Sequence, residues 1–443
     1  MLNTIIATLI LHGPTTLAIL FTFSILILFH EFGHFFACKR IGVRVEKFSL
    51  GFGPKLFGFK KGETEYCLSL IPLGGYVKMT GEDPHEKLKG KRWEFLSQNI
   101  PRRAVIIFSG PLANLLLAFL LFSLVPLIGI KIPVWYTNTT IGTIEEESPA
   151  QKADLKIGDR ILALGGEKIN DWYDISLKVG NKPGKKLEIL LLREGEEIKK
   201  YLTPEIDKTS GAIVLGMLPD MPMEVGHLTP DYPAQKAGLK VGDKIIGING
   251  QKISQWSQAS QIIHDSANKK LEFEIKRQER RFTVNIIPKL DKRYQIGLIG
   301  IGAKEATKRV GFLSAIEIGT AQTWHSFNMS CRAIWMLVSG RISPREAVGG
   351  PILIGQLVGQ AAKMGMVYLF NLIATISVFL MIVNLLPIPL LDGGHIIFLA
   401  LEGIRKKPLG IRAQEITQQI GLAIILFIAV FVIYNDLVRI WSR

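Results

Sequence analysis

Leu26-Ile27-Leu28-Phe29-His30-Glu31-Phe32-Gly33-His34-Phe35-Phe36 closes an apolar run that begins near Thr15. On a helix, positions i and i+4 share a face, so the two imidazoles of His30 and His34 can bind one metal ion. Glu31 sits one step round, where its carboxylate can reach a water on that metal. Polar and ionisable side chains near the end of an apolar span are costly, and function is the usual reason for them. The bland alternative is a pair of histidines snorkelling to an interface, which leaves Glu31 without a task. Counting about 1.5 Å per residue from Thr15 places His30 about 22 Å along the helix. That depth is within a bilayer but towards one side of it.

The rest of the chain fits a membrane. Three further apolar stretches run from Ala104 to Ile130, from Met366 to Leu386 and, more broken, from Ile420 to Ile433 with Val438 and Ile440 beyond. Roughly 20 apolar residues span a bilayer, so all four predict transmembrane helices. Hydrophobic residues make up 48% of the 443, and the mean hydropathy is +0.27, high for a soluble protein of this length. A net charge of +15 would suit nucleic acid, but no zinc-finger, helix-turn-helix or RNA-binding pattern accompanies it, so no nucleic-acid partner is expected. Membrane lipid explains the basic residues better. Lys39, Arg40, Arg44 and Lys47 follow the first span, and Arg405, Lys406, Lys407 and Arg412 lie between the third and fourth. The positive-inside bias puts both loops in the cytosol, both termini outside, and the long insert after the second span outside. Cys38, Cys67 and Cys331 are scattered and form no CxxC pair, so neither a disulfide framework nor a thiolate zinc site is predicted.

The insert repeats itself. Ser148-Pro-Ala-Gln-Lys-Ala-Asp-Leu-Lys-Ile-Gly-Asp159 returns as Tyr232-Pro-Ala-Gln-Lys-Ala-Gly-Leu-Lys-Val-Gly-Asp243, with 84 positions between Pro149 and Pro233. Each copy goes on to strand-like segments, Leu187 to Leu192 and Leu271 to Ile275, and to a glycine-bearing apolar end, Ile213 to Gly216 and Ile296 to Gly300. One small β-rich domain per copy is predicted. The pattern resembles tandem PDZ domains, whose groove takes an extended peptide as an added strand. A plain spacer is the competing reading. Between the repeats and the third span, residues 310–364 are apolar but interrupted by Glu317, His325, Arg332 and Arg341, which predicts interfacial helices rather than a span.

Catalytic zinc commonly has three protein ligands and a water. A third ligand is sought in Asn384-Leu-Leu-Pro387-Ile-Pro389-Leu-Leu-Asp392-Gly393-Gly394-His395, which closes the third span on the same side as His30. Alone, Asp-Gly-Gly is most often a turn; beside His30 and His34, Asp392 becomes a candidate ligand. His395 is a candidate for a supporting role only. In the first loop, Gly51-Phe-Gly53-Pro and Ile71-Pro-Leu-Gly74-Gly75-Tyr76-Val77-Lys78-Met79 predict β-structure dipping towards the membrane.

His-Glu-x-x-His in a first span, followed late by Asn-x-x-Pro-x-Pro-x-x-Asp-Gly, resembles the site-2 protease family of intramembrane zinc metalloproteases, and the resemblance covers nearly the whole chain. It implies zinc on His30, His34 and Asp392, with Glu31 as general base. Asn384 would help hold the substrate or the developing oxyanion. Gly74, Gly75, Tyr76 and Val77 would form a re-entrant hairpin edge that binds substrate, and Asn114 would hydrogen-bond near the site. The implied substrates are transmembrane proteins already trimmed outside, an anti-sigma factor and remnant signal peptides, in a bacterial inner membrane. The expected fold is a multi-pass α-helical membrane protein of four transmembrane helices, a membrane-associated β-hairpin and two extracytosolic PDZ-like α+β domains. Its expected parts are residues 1–132, 133–219, 220–305, 306–365 and 366–443. A non-catalytic membrane-anchored PDZ scaffold or chaperone is the main rival. A metal transporter is a second, and it calls for several intramembrane sites along a path where the sequence offers one.

Overall fold

The computed structural model describes residues 2–441 apart from 84, 86–87, 180–183, 207–212, 292–293, 344–348 and 409. It forms two compact units, Met1–Ile130 with Arg309–Arg443, and Lys131–Lys308.

The first unit is mainly helical. Its helices are α1 (Leu2–Ile41), α2 (Ile100–Ile128), α3 (Phe312–Val338), α4 (Pro351–Met364), α5 (Met366–Asn384), α6 (Asp392–Arg405) and α7 (Ile411–Trp441). Four of these are long and apolar enough to cross a membrane, over Gly13–Ile41, Ile100–Ile128, Met366–Asn384 and Ile411–Val438. The boundaries differ from the apolar runs because helix ends are set by capping. Asn99 caps α2 by accepting the Arg102 amide, with Pro101 in the first turn. Pro111 lies inside the helix. The fragmented fourth run is one unbroken helix of 31 residues, since polar residues interrupt an apolar pattern without interrupting backbone hydrogen bonds.

Leu26 of α1, Leu117 and Ala118 of α2, and Ile373, Ala374 and Val378 of α5 share one buried core. Helices α1 and α2 touch at Gly33, where a Cβ would stand 2.2 Å from the Ser109 carbonyl oxygen. Ser377 Oγ of α5 donates to the Asn114 carbonyl at 2.7 Å. Arg103 of α2 grips Glu402 of α6 with both terminal nitrogens, so the helix that begins at Asp392 is tied to α2. Asp436 of α7 accepts the main-chain amides of Gly350, Ile352 and Leu353 at 3.0–3.1 Å. It thereby satisfies donors that the first turn of α4 cannot pair internally.

Between α1 and α2 lie two long antiparallel strands, β1 (Val45–Lys61) and β2 (Thr64–Met79). Phe48 pairs with Tyr66 on one side and with Val77 on the other, and Leu50 pairs likewise with Leu68 and Gly75. The second strand thus doubles back around the first, and residues 75–79 form an edge with β1 as their single neighbour among the described residues. Phe52, Leu56, Phe57 and Ile71 are exposed on this hairpin.

In the second unit each repeat has its own core. One gathers Ile141, Ile161, Ile189 and Leu191, the other Val225, Ile245, Phe273 and Ile275. Each builds a four-stranded antiparallel sheet: Arg160–Leu164 and Lys244–Ile248 hold equivalent places beside Leu187–Arg193 and Leu271–Arg277. The repeated Gly-Asp is a clasp. Arg193 binds both oxygens of Asp159 at 2.7 Å, and Arg277 binds Asp243 at 2.6 and 2.8 Å. Burial opposes ionisation of each carboxyl, but the guanidinium and the Lys156 or Lys240 amide outweigh it and hold both below the usual carboxylate range. In each copy a cleft runs between the glycine-bearing end and a helix. Gly216 and Leu218 face Trp172 and Ile175 in one, Leu298 and Gly300 face Trp256 and Ile263 in the other.

Candidate metal centre

His30 and His34 project from the last third of α1, one turn apart, and Asp392 opens α6. The Nε2 atoms of the two histidines are 3.3 Å apart. Asp392 Oδ2 lies 3.2 Å from His30 Nε2, and Asp392 Oδ1 lies 3.5 Å from His34 Nε2. Tetrahedral ligands about 2.0–2.1 Å from a zinc ion stand about 3.4 Å from one another; the two nitrogens meet that spacing, and one donor atom from each of the three residues lies within 4.8 Å of the others. Among the described residues they are the one group of three or more His, Cys, Asp or Glu side chains arranged to hold a metal. His395 is outside it, on the wall of the same cavity.

The surroundings prepare both imidazoles. His34 Nδ1 donates to the Ile106 carbonyl at 2.9 Å, which leaves Nε2 with a bare lone pair. Space for that ring comes from Gly110, where a Cβ would stand 2.2 Å from His34 Nε2. Asn114 and Asn384 each bring a side-chain amide to 3.4 Å from His30 Nδ1. Asn114 Oδ1 is buried without a partner when the NH2 faces the ring. Turning that amide over sets its oxygen on a protonated Nδ1 and frees His30 Nε2 for a metal. One N–H serves one acceptor, so the Asn384 amide is left for the cavity. On the Asp392 side, a Cβ at Gly393 or Gly394 would meet the carbonyls of Leu386 or Ile388 within 2.4 Å. The two glycines therefore seat the start of α6 against the turn that follows α5.

A cavity of about 480 Å³ opens beside these donors. Its wall includes Glu31, Tyr76, Val77, Asn384 and His395, together with Glu82, Gln414 and Gln418, which the sequence did not single out. The edge segment reaches this point because Gly75 has no side chain: a Cβ there would stand 3.2 Å from Glu31 Cγ. Gly74 instead accommodates the Phe52 ring. Ile106 O accepts from Ser109 Oγ as well as from His34.

Two adjacent histidines and a carboxylate, a second carboxylate beside them, and helices of membrane length define a metal-dependent hydrolase embedded among apolar spans. The chain belongs to Peptidase family M50, which it matches over residues 18–428. It is 33% identical over 440 residues to the regulator of sigma-E protease RseP of Escherichia coli, covering 94% of this chain and 97% of that protein. Its identity to the regulator of sigma E protease of Haemophilus influenzae is 31% over 440 residues, with the same shares covered.

Proposed function

We propose that this chain is an intramembrane zinc protease that cuts within the transmembrane segment of a membrane protein. The convergence of His30 Nε2, His34 Nε2 and the Asp392 carboxylate within reach of one ion carries this reading, because it supplies the three protein ligands usual at a catalytic zinc. A zinc ion held there supplies Lewis acidity and brings the pKa of a coordinated water towards about 7. Glu31, on the cavity wall, takes the proton from the attacking water and returns it to the leaving nitrogen. Asn384 offers its amide to the substrate carbonyl as charge develops there. Residues 75–79 receive the substrate as an added strand, since a helix conceals its peptide bonds and an extended segment exposes them.

The basic residues of the hairpin loop and of the loop before α7 support an active site towards the cytosol, with both termini and the repeats on the opposite face. An inner-membrane location and substrates such as an anti-sigma factor or remnant signal peptides are what the resemblance implies, and relatives named as regulators of sigma-E fit a role in that regulation. The PDZ-like repeats, each with a cleft beside a helix, are proposed to meet the extracytosolic part of the substrate.

The test is zinc content measured together with cleavage of a synthetic transmembrane peptide in detergent. One equivalent of zinc and metal-dependent cleavage is the expected result. A scaffold gives neither, and a transporter gives zinc without cleavage.

A further inference from the structure

The hairpin and its flanks are rich in lysine and arginine, yet no Lys or Arg among the described residues lines the cavity. Its charged wall consists of Glu31, Asp392 and Glu82 beside the histidines. The first two have tasks in the reading above. Glu82 has none. It lies just beyond the edge segment and accepts the Met79 amide through one oxygen at 3.1 Å. The other hairpin carboxylates are matched with cations, Glu46 with Lys78, Glu63 with Lys39 and Glu65 with Lys55. Glu82 has no cation within ion-pair distance among the described residues.

We propose that Glu82 reads the charge of the substrate, binding a lysine or arginine on the flank of the transmembrane segment and so setting which peptide bond reaches the metal centre. The proposal rests on the proteolytic reading and adds a specificity residue to it. A strand held by its backbone on residues 75–79 can slide by two residues without losing hydrogen bonds, because side chains alternate with period two. A fixed charge at the end of that edge removes the ambiguity. The partner is available in any such substrate, since transmembrane segments carry their lysines and arginines on the cytosolic flank, the face to which the hairpin is assigned. Burial pushes the Glu82 carboxyl above its ordinary value, although the Met79 amide and Lys78 oppose the shift. An arriving ammonium or guanidinium favours the charged form and is held by it.

The experiment uses the zinc-loaded full-length protein in detergent. The substrates are synthetic transmembrane peptides that differ only by Lys, Gln or Glu at successive positions on the cytosolic side of the scissile bond. The quantity read is the Lys-to-Glu ratio of kcat/KM within each enzyme, which an overall loss of activity does not move. Wild type is expected to prefer Lys about five- to tenfold at one or two positions, the range for a partly screened ion pair. In Glu82→Gln the ratio falls to near one, while the amide oxygen can still accept the Met79 N–H. In Glu82→Lys the ratio inverts, and the inversion serves as the reading if Glu82→Gln proves poorly folded. Equal cleavage of all peptides by wild type, or a preference that survives in Glu82→Gln, overturns the proposal and leaves the protease standing. A zinc-loaded wild type that cleaves none of the peptides overturns both.

Discussion

The side-chain amide of Asn114 stands 3.4 Å from Nδ1 of His30, and its oxygen is buried without another partner. With its amide turned over, this residue of α2 would accept from Nδ1–H and leave Nε2 of His30 bare. Asn114→Leu removes the acceptor for Nδ1–H while keeping similar bulk. Supporting hydrogen bonds to metal-ligating histidines are typically worth 10- to 100-fold in metal affinity or activity. Zinc affinity is therefore expected to fall by about tenfold or more, measured by competition with a chelator of known strength. Unchanged affinity would assign the orientation of His30 to Asn384 instead.

Glu31→Gln is expected to keep its zinc and its fold and to lose cleavage by about 10²- to 10⁴-fold, the usual contribution of a positioned base. Metal analysis and turnover on the same sample separate the two quantities. Near-normal turnover would remove Glu31 from the chemistry.

Asp392→Ala takes away one of the three proposed protein ligands and opens the start of α6. Both zinc affinity and turnover should fall, with zinc lost on dialysis against a chelator that leaves wild type loaded. If the variant keeps full affinity, His395, three residues on and on the same cavity wall, becomes the ligand to examine.

Among the described residues β1 is the one strand paired with residues 75–79, and Val77 lines the cavity. Val77→Pro removes a backbone donor from this edge. Cleavage of helical transmembrane substrates should fall several-fold more than cleavage of peptides that are already extended. An equal loss for both kinds would point to a misfolded hairpin.

The Asp159–Arg193 and Asp243–Arg277 clasps predict the acid behaviour of the repeats. Both carboxyls are held below their unfolded value of about 3.9. Their contribution to stability is complete above that value and is lost as pH falls through the lower, folded values. Thermal unfolding of the full-length protein should show this component insensitive to pH between 7 and about 5 and declining below about 4. Replacing one arginine with leucine strands a buried carboxylate, at a cost of about 3 kcal/mol. A component that weakens already between pH 7 and 6 would exclude these pairs as its cause.

The residues of the candidate metal centre are legible in the chain, because they obey a short period or end an element, and the structure brings the three together. His30 and His34 are one helical turn apart, and Asp392 follows a proline-broken helix end. The four apolar spans and the 84-residue repeat are equally local patterns. What the chain did not disclose depends on how distant pieces cross. Ile106 meets His34 over 72 positions, an encounter created by the contact of α1 with α2 at Gly33; Asn114, which meets His30 over 84 positions, is signalled by the family resemblance alone. Gly74 and Gly75 were grouped as one substrate-binding edge, but one makes room for Phe52 and the other for Glu31. Pairing of β1 on both sides was illegible because alternation fixes which face a residue takes, not how many neighbours its strand has. Glu82 belongs to no motif in the chain, since its place on the cavity wall depends on that same doubling back.

The doubled clasp also gives the molecule its own control. Arg193→Leu and Arg277→Leu are the same chemical change made at matched places in one polypeptide, under one detergent and one temperature. The stranded carboxylates are equally secluded, at 1% and 0% exposure, while the guanidiniums differ, 17% against 31%. Subtracting one result from the other cancels what the two sites share. The remainder reports what the sites do not share: the exposure of the guanidinium, the second carboxylate of Asp154 beside Arg193 and the Phe282 ring beneath Arg277.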